Sequence, residues 1–344
     1  MTDPRRVFAS DDELDSALSE PTPEVVETLS RIPGDIILLG AGGKMGPSLA
    51  RMARRASDAA GVDRRVFAVS RFSGGSEADF TDYQIETIRC DLLNESDVAR
   101  LPGVPNVIFM TGRKFGSSGD EATTWAMNSY LPGLVCRRFR DSRIVAFSTG
   151  NVYGLSPNTR GGSREADAPD PVGEYAMSCL GRERVFEYFS RSLEIPMALV
   201  RLNYACDLRY GVLVDLALRV WNGQPVDLTT GYFNTIWQGD ANAFTLRAFD
   251  HVASPPWVVN LSGPEILSVR AVCETFGRQM NRPVHFEGAE AETALLSDVS
   301  RATRLFGLPR IAAAQLVEWV AEWVKRGGTS LNKPTHFESR SGKF

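Results

Sequence analysis

The chain has 344 residues, of which 43% are hydrophobic and 23% charged, with a formal net charge of −4. That composition supports a sizeable core, excludes a disordered chain, and argues against a general binder of nucleic acid or of an anionic membrane. The basic residues divide into 33 arginines and only five lysines (Lys44, Lys114, Lys325, Lys333 and Lys343), so a function that needs an ammonium group has few candidates.

Five widely spaced cysteines without a CxxC pair are expected to be free thiols, and three isolated histidines show no metal-ligand spacing. The acidic N-terminus has no apolar core, and no apolar run approaches the roughly 18 residues of a membrane span. The expectation is a cytoplasmic protein.

Taken in order, residues 1–33 read as an appended arm with short helices over Asp11 to Ser19 and Glu24 to Ile32. From residue 34 to 202, short β-branched runs alternate with amphipathic stretches. DIILLG, RRVFAVS, IETIRCD, PNVIFMT, RIVAFST and IPMALVRL have the look of buried parallel strands. The stretches between them, Lys44–Ser57, Glu95–Leu101, Glu121–Phe139 and Glu174–Ser192, are helical in pattern. Such alternation predicts an α/β fold, a Rossmann-type doubly wound parallel sheet. Residues 203–326 read as a smaller C-terminal α/β substrate lobe, in which PVDLTT, PWVVNLS and PVHFEG alternate with helices. Residues 327–344, rich in Gly, Ser and Lys, read as a flexible or partner-dependent tail.

Gly40-Ala-Gly-Gly43-Lys44-Met45-Gly46 follows the first strand and opens the first helix. Glycines there permit a tight turn and a close approach of backbone to a pyrophosphate, which the helix N-terminus then favours. After the second strand come Ser70 and Arg71, where an NAD-preferring protein usually places a carboxylate. Ser70 can hydrogen-bond a 2′-phosphate and Arg71 can pair with it, so NADP is favoured, with NAD the alternative. Asp91-Leu92 after the third strand is placed for the adenine edge, and Thr111-Gly112 after the fourth for the cofactor ribose.

Two later segments, Phe147-Ser-Thr-Gly-Asn-Val-Tyr-Gly154 and Gly173-Glu-Tyr-Ala-Met-Ser-Cys-Leu-Gly-Arg-Glu183, carry a family likeness together with the glycine loop. The chain resembles the extended short-chain dehydrogenase/reductase (NAD-dependent epimerase/dehydratase) family from about Gly34 to Ala321. The resemblance implies that Thr149 polarises a substrate oxygen and that Tyr175 exchanges its proton. Asn128 matches the family's helix asparagine, and a buried structural role explains it equally well. Gly150 and Asn151 replace the acid pair typical of sugar-nucleotide dehydratases, which disfavours that elimination route.

The family's lysine four residues after the tyrosine is Cys179 here. Tyrosine has a reference pKa of about 10, and tuning it to neutrality takes about 3 units, or about 4 kcal/mol, much of it ordinarily supplied by that lysine. Lys114, after the fourth strand, is the lysine placed to substitute. The implied function is an NAD(P)-dependent oxidoreductase or epimerase acting on a sugar-like substrate, a homodimer by analogy with relatives. The alternative is a catalytically silent NADP-binding regulatory or partner protein.

Overall fold

The computed structural model describes residues 7–343 apart from 74–76, 115, 117 and 118. The outer ends of the expected arm and tail, and Phe115 beside Lys114, thus lie outside the described residues. The centre is a parallel sheet of seven strands: β1 (Ile36–Leu39), β2 (Val66–Ser70), β3 (Glu86–Arg89), β4 (Asn106–Phe109), β5 (Arg143–Thr149), β6 (Met197–Leu202) and β7 (Trp257–Leu261). Their spatial order is β7-β6-β5-β4-β1-β2-β3. Ile36 pairs with Val66 on one side and Asn106 on the other, so the chain reverses its winding between β1 and β4. In such sheets the connections leave β1 and β4 toward opposite faces and open a crevice at the strand C-termini.

Every residue of β1 and β4 is buried, because helices cover both faces. One face packs Ile36, Leu38 and Val66 against the helices Pro23–Arg31, Gly46–Ala59 and Gln238–Arg247. The other packs Ile37, Leu39 and Phe109 against Leu131–Arg138 and Gly173–Leu193. The six strands expected from the sequence all form, somewhat shorter than their apolar runs.

Residues 257–261 depart from expectation. The PWVVNLS segment, expected in the C-terminal lobe, forms β7, which pairs in parallel with β6, Asn260 opposite Arg201. The helix Gln238–Arg247 likewise packs on the sheet side, with Phe244 and Leu246 in its core. The sheet domain is therefore built from two stretches of chain, and a boundary at residue 203 divides it. The composition of 257–261 is that of a strand, but periodicity carries no information about which sheet a strand joins.

The arm and the tail both pack onto the body. Phe8 sits against Trp237 and Trp319, and Asp15 pairs with Arg51 at 3.0 Å and with Arg209 at 2.7 Å. The tail, expected to be flexible or partner-dependent, instead crosses the cleft. Phe337 is buried against Phe233, and Thr335 donates from its backbone N (2.8 Å) and its Oγ1 (2.6 Å) to Asp215. Arg340 reaches the Thr293 carbonyl at 2.7 Å. A Gly/Ser-rich composition concealed two anchors, one apolar and one hydrogen-bonded.

Candidate active site

At the C-terminal ends of β1, β4, β5 and β6 lies a cavity of about 850 Å³. Its walls bring together Gly43, Lys44 and Met45 of the glycine loop, Thr111, Gly112 and Lys114 after β4, Thr149 at the end of β5, and Tyr175. The substrate lobe supplies Tyr204 and Tyr210, and the tail supplies residues 332–336.

The three motif glycines answer to different demands. A Cβ on Gly46 would lie 1.8 Å from the Ala41 carbonyl oxygen, so close packing of loop on helix permits only glycine there. Gly40 has φ +92°, and a Cβ would lie 2.6 Å from Thr111 Oγ1. At Gly43 a Cβ would meet only the Gly40 carbonyl oxygen, at 3.5 Å, an ordinary contact. The protein itself does not require glycine at 43; the bareness of its cavity-facing side fits an occupant that approaches the backbone. The helix Gly46–Ala59 opens there without an acidic residue in its first turn, so nothing at its positive end opposes an anion. The residues present thus fit a dinucleotide's diphosphate.

Ser70, Arg71, Asp91 and Leu92 lie beyond this cavity. Ser70 Oγ accepts from the Phe72 amide at 3.4 Å, and Arg71 is exposed just past β2. The third strand stops at Arg89, short of Asp91, whose Oδ1 accepts from the Leu93 amide at 3.1 Å, and Leu92 is buried in the core.

Tyr175, Cys179 and Arg182 occupy one face of the helix Gly173–Leu193, at i, i+4 and i+7. The Tyr175 hydroxyl is hydrogen-bonded to Thr149 and to Cys179. Burial pushes the phenol well above its ordinary pKa and the adjacent thiol adds to the rise; the Arg182 guanidinium and the Thr149 hydrogen bond act the other way. Cys179 is raised as well, chiefly by burial, so thiol and phenol are both neutral near pH 7.

No motif points to Arg182, although its i+7 spacing from Tyr175 is a signal that the sequence carries. Its Nη2 donates to Asn128 Oδ1 at 2.6 Å and its Nη1 to the Phe147 carbonyl at 3.0 Å. Asn128 stands in a wider π-helical turn, Ala126–Tyr130, where its Nδ2 donates to Ser178 Oγ (2.9 Å) and the Arg113 carbonyl (3.1 Å). Helical turns of this kind re-aim single side chains. Asn128 therefore ties the end of β4 to the tyrosine helix.

Several residues near the cavity serve the frame. Arg201 pairs with Glu183 at 2.7 Å, both buried, and donates to the Tyr153 hydroxyl at 2.5 Å. Ser148 Oγ donates to Glu183 at 2.5 Å. This network joins the tyrosine helix to β5 and β6. Arg209 is taken up by Asp15 and Asp207, and Trp237 by Phe8 and Trp319. Lys114 lines the cavity with its Nζ donating to the Thr335 carbonyl at 3.0 Å.

No protein-family model matches the chain, and no curated protein matches it. Solved structures do. UDP-glucuronic acid 4-epimerase from Bacillus cereus, in complex with UDP-glucuronic acid and NAD, matches with a TM-score of 0.69 at 16% identity, over 85% of this chain and 99% of that one. The chain has its fold. UDP-glucose 4-epimerase from Thermotoga maritima, with UDP-glucose, matches at 0.69 and 14% identity, and MoeE5, in complex with UDP-glucuronic acid and NAD, at 0.66 and 21%, both over the same shares. Identities this low carry the architecture alone and leave the chemistry to be argued from the residues in the cavity.

Proposed function

We propose that the protein is a nicotinamide-dinucleotide-dependent oxidoreductase or epimerase acting on a hydroxyl or carbonyl of a sugar-like substrate. The carrying observation is that Tyr175, hydrogen-bonded to Thr149, shares one cavity with the glycine loop. Gly43 and the helix N-terminus would hold the diphosphate, and Thr111 and Gly112 the ribose. A bound nicotinamide supplies hydride chemistry.

Thr149 orients the reacting oxygen, and Tyr175 gives or takes its proton. With lysine absent at 179, Tyr175 rests protonated, which suits it to donate a proton to a carbonyl oxygen as the carbon gains hydride. The reverse direction requires the phenolate, which Arg182 favours from two helical turns away. Arg182 therefore fits the role of fixed charge behind the tyrosine better than Lys114, whose ammonium is directed to the tail.

On cofactor choice, the neighbours with a named dinucleotide hold NAD, whereas Ser70 and exposed Arg71 suit a 2′-phosphate. Arg71→Ala should weaken NADP binding about tenfold, the loss of one charge-assisted contact, and leave NAD binding unchanged. Equal effects on both cofactors would remove the role given to Arg71. A homodimer is proposed through the helical stretch Glu121–Arg138, including its π turn Ala126–Tyr130, and the helix Gly173–Leu193, where Trp125, Tyr130, Met177 and Tyr188 are exposed; sedimentation-equilibrium analysis giving only a monomer would remove it.

The raised pKa of the Tyr175–Cys179 pair favours a second reading, a silent dinucleotide-binding regulator. Turnover separates the two. With NAD or NADP and either UDP-glucuronic acid or UDP-glucose, appearance of an epimer or of a reduced dinucleotide, lost in Tyr175→Phe, supports the enzyme. Undiminished turnover in that variant would sink the mechanism.

A further inference from the structure

Three of the five lysines in this chain line the cavity at the strand ends: Lys44 from the glycine loop, Lys114 from the end of β4 and Lys333 from the tail. The remaining two lie elsewhere, Lys325 pairing with Glu322 on the surface and Lys343 near the chain end. In a chain that uses arginine for nearly every other cation, this convergence calls for a chemical reason. Lysine offers a compact ammonium whose three donors rotate to meet an oxyanion, without the planar fork of arginine.

We propose that Lys44, Lys114 and Lys333 form a receptor for an oxyanion, a carboxylate or phosphate carried by the substrate, and that the tail completes it. The proposal rests on the reading of this cavity as the site of a dinucleotide-dependent reaction and specifies the class of substrate. The Lys44 ammonium lies 3.0 Å from the centroid of the Tyr210 ring, on the substrate-lobe wall across from its own loop. Lys114 donates to the carbonyl of Thr335, two residues beyond Lys333, so the tail is held where its lysine faces the same space.

The nearby acids are already engaged. Asp215 Oδ2 accepts twice from Thr335, Asp207 is bonded to Arg209 and the Tyr210 amide, and Glu338 lies 3.6 Å from Arg219. Burial and the repulsion of Lys333 and Lys114 push Lys44 down to about 7, and burial pushes Lys114 down to about 8. An oxyanion among these groups reverses that balance, and its binding takes up protons.

The scarcity of lysine makes the test direct. In the full-length, NAD-loaded protein with lysines labelled at the ε-carbon, five signals are expected, assigned by Lys44→Gln, Lys114→Gln and Lys333→Gln. Inorganic phosphate is the probe. The expected result is that phosphate raises the titration midpoints of Lys44 and Lys114 and shifts Lys333, leaving Lys325 and Lys343 unmoved. Lys333 is exposed, so Lys333→Gln should fold normally, and it should weaken phosphate binding about tenfold.

Phosphate that moves none of the three, or all five alike, overturns the proposal. If NAD alone produces the full shift and phosphate adds nothing, the anion is the cofactor's diphosphate and the substrate assignment falls. None of these readouts needs turnover. Failure of the catalytic reading would appear instead as undiminished activity in Tyr175→Phe.

Discussion

The two walls of the cleft were built under different constraints. On the glycine-loop wall, backbone geometry dictates residue type: Gly40 and Gly46 are fixed by contacts of 2.6 and 1.8 Å that any Cβ would make. On the tyrosine wall, nothing in the backbone dictates Cys179, a buried side chain beside a half-buried phenol, and the nearby positive charge that favours the phenolate is that of Arg182, two turns along. Constraints of the first kind fix a sequence motif, whereas those of the second can be met by a cation from another position. A departure from a family pattern therefore weighs less on the second wall than on the first.

The largest expected effect tests the tyrosine wall. Tyr175→Phe should lower turnover by about 10³-fold, within the range for loss of a general acid–base group, with dinucleotide affinity nearly unchanged. A matched fall in affinity would mean that Tyr175 holds the cofactor and does not move the proton.

Next come two alanines on the opposite wall. Gly46→Ala drives a methyl into the Ala41 carbonyl and should destabilise the fold by about 3 kcal/mol, the upper range for overpacking, as read by denaturant unfolding. Gly43→Ala meets only an ordinary contact, so its stability should stay within about 0.5 kcal/mol while dinucleotide binding is lost. If both variants lose stability alike, the distinction between a structural and a ligand-facing glycine fails.

Arg182→Met ranks third and returns to the tyrosine wall. It removes a buried guanidinium that bonds Asn128 Oδ1 and the Phe147 carbonyl, at a cost of about 2 kcal/mol for acceptors left unsatisfied. It also withdraws the positive charge that favours the phenolate, so the pH at which oxidation becomes fast should move upward. Were the pH profile to keep its midpoint while stability fell, Arg182 would be a structural residue only.

What the sequence made legible follows the same division. The six strands, the glycine loop and the placing of Thr149 and Tyr175 at one cleft were readable, since each rests on local pattern or on motif. Arg182 belongs to no motif that marks it for chemistry, although i+7 on a helix brings a residue back to the same face. Residues 257–261 joined the main sheet and Lys333 joined the cavity through long-range packing, of which strand periodicity and tail composition carry no trace. Phe337 and Thr335 anchor the tail through partners roughly a hundred residues away in sequence, Phe233 and Asp215.

The smallest effect couples the two walls through charge. Lys44 and Lys114 have folded pKa values of about 7 and about 8, below the ordinary 10.5 they recover on unfolding. Between about pH 7 and 9 the unfolded chain therefore binds more protons than the folded one, and stability from this source rises with pH. Above that window the effect is opposed, because thiols and phenols with raised pKa values, Cys179 and Tyr175 among them, hold their protons more tightly when folded. Lys44→Gln should flatten the rise in denaturant midpoint across the window. Lys333→Gln should flatten it in part, since Lys333 contributes to the depression of Lys44. Saturating phosphate should do the same in the native protein by restoring the charged form, which binds the sign of the stability profile to the sign of the ligand. A slope that survives Lys44→Gln would place its origin elsewhere in the molecule and separate the lysines from the cleft they line.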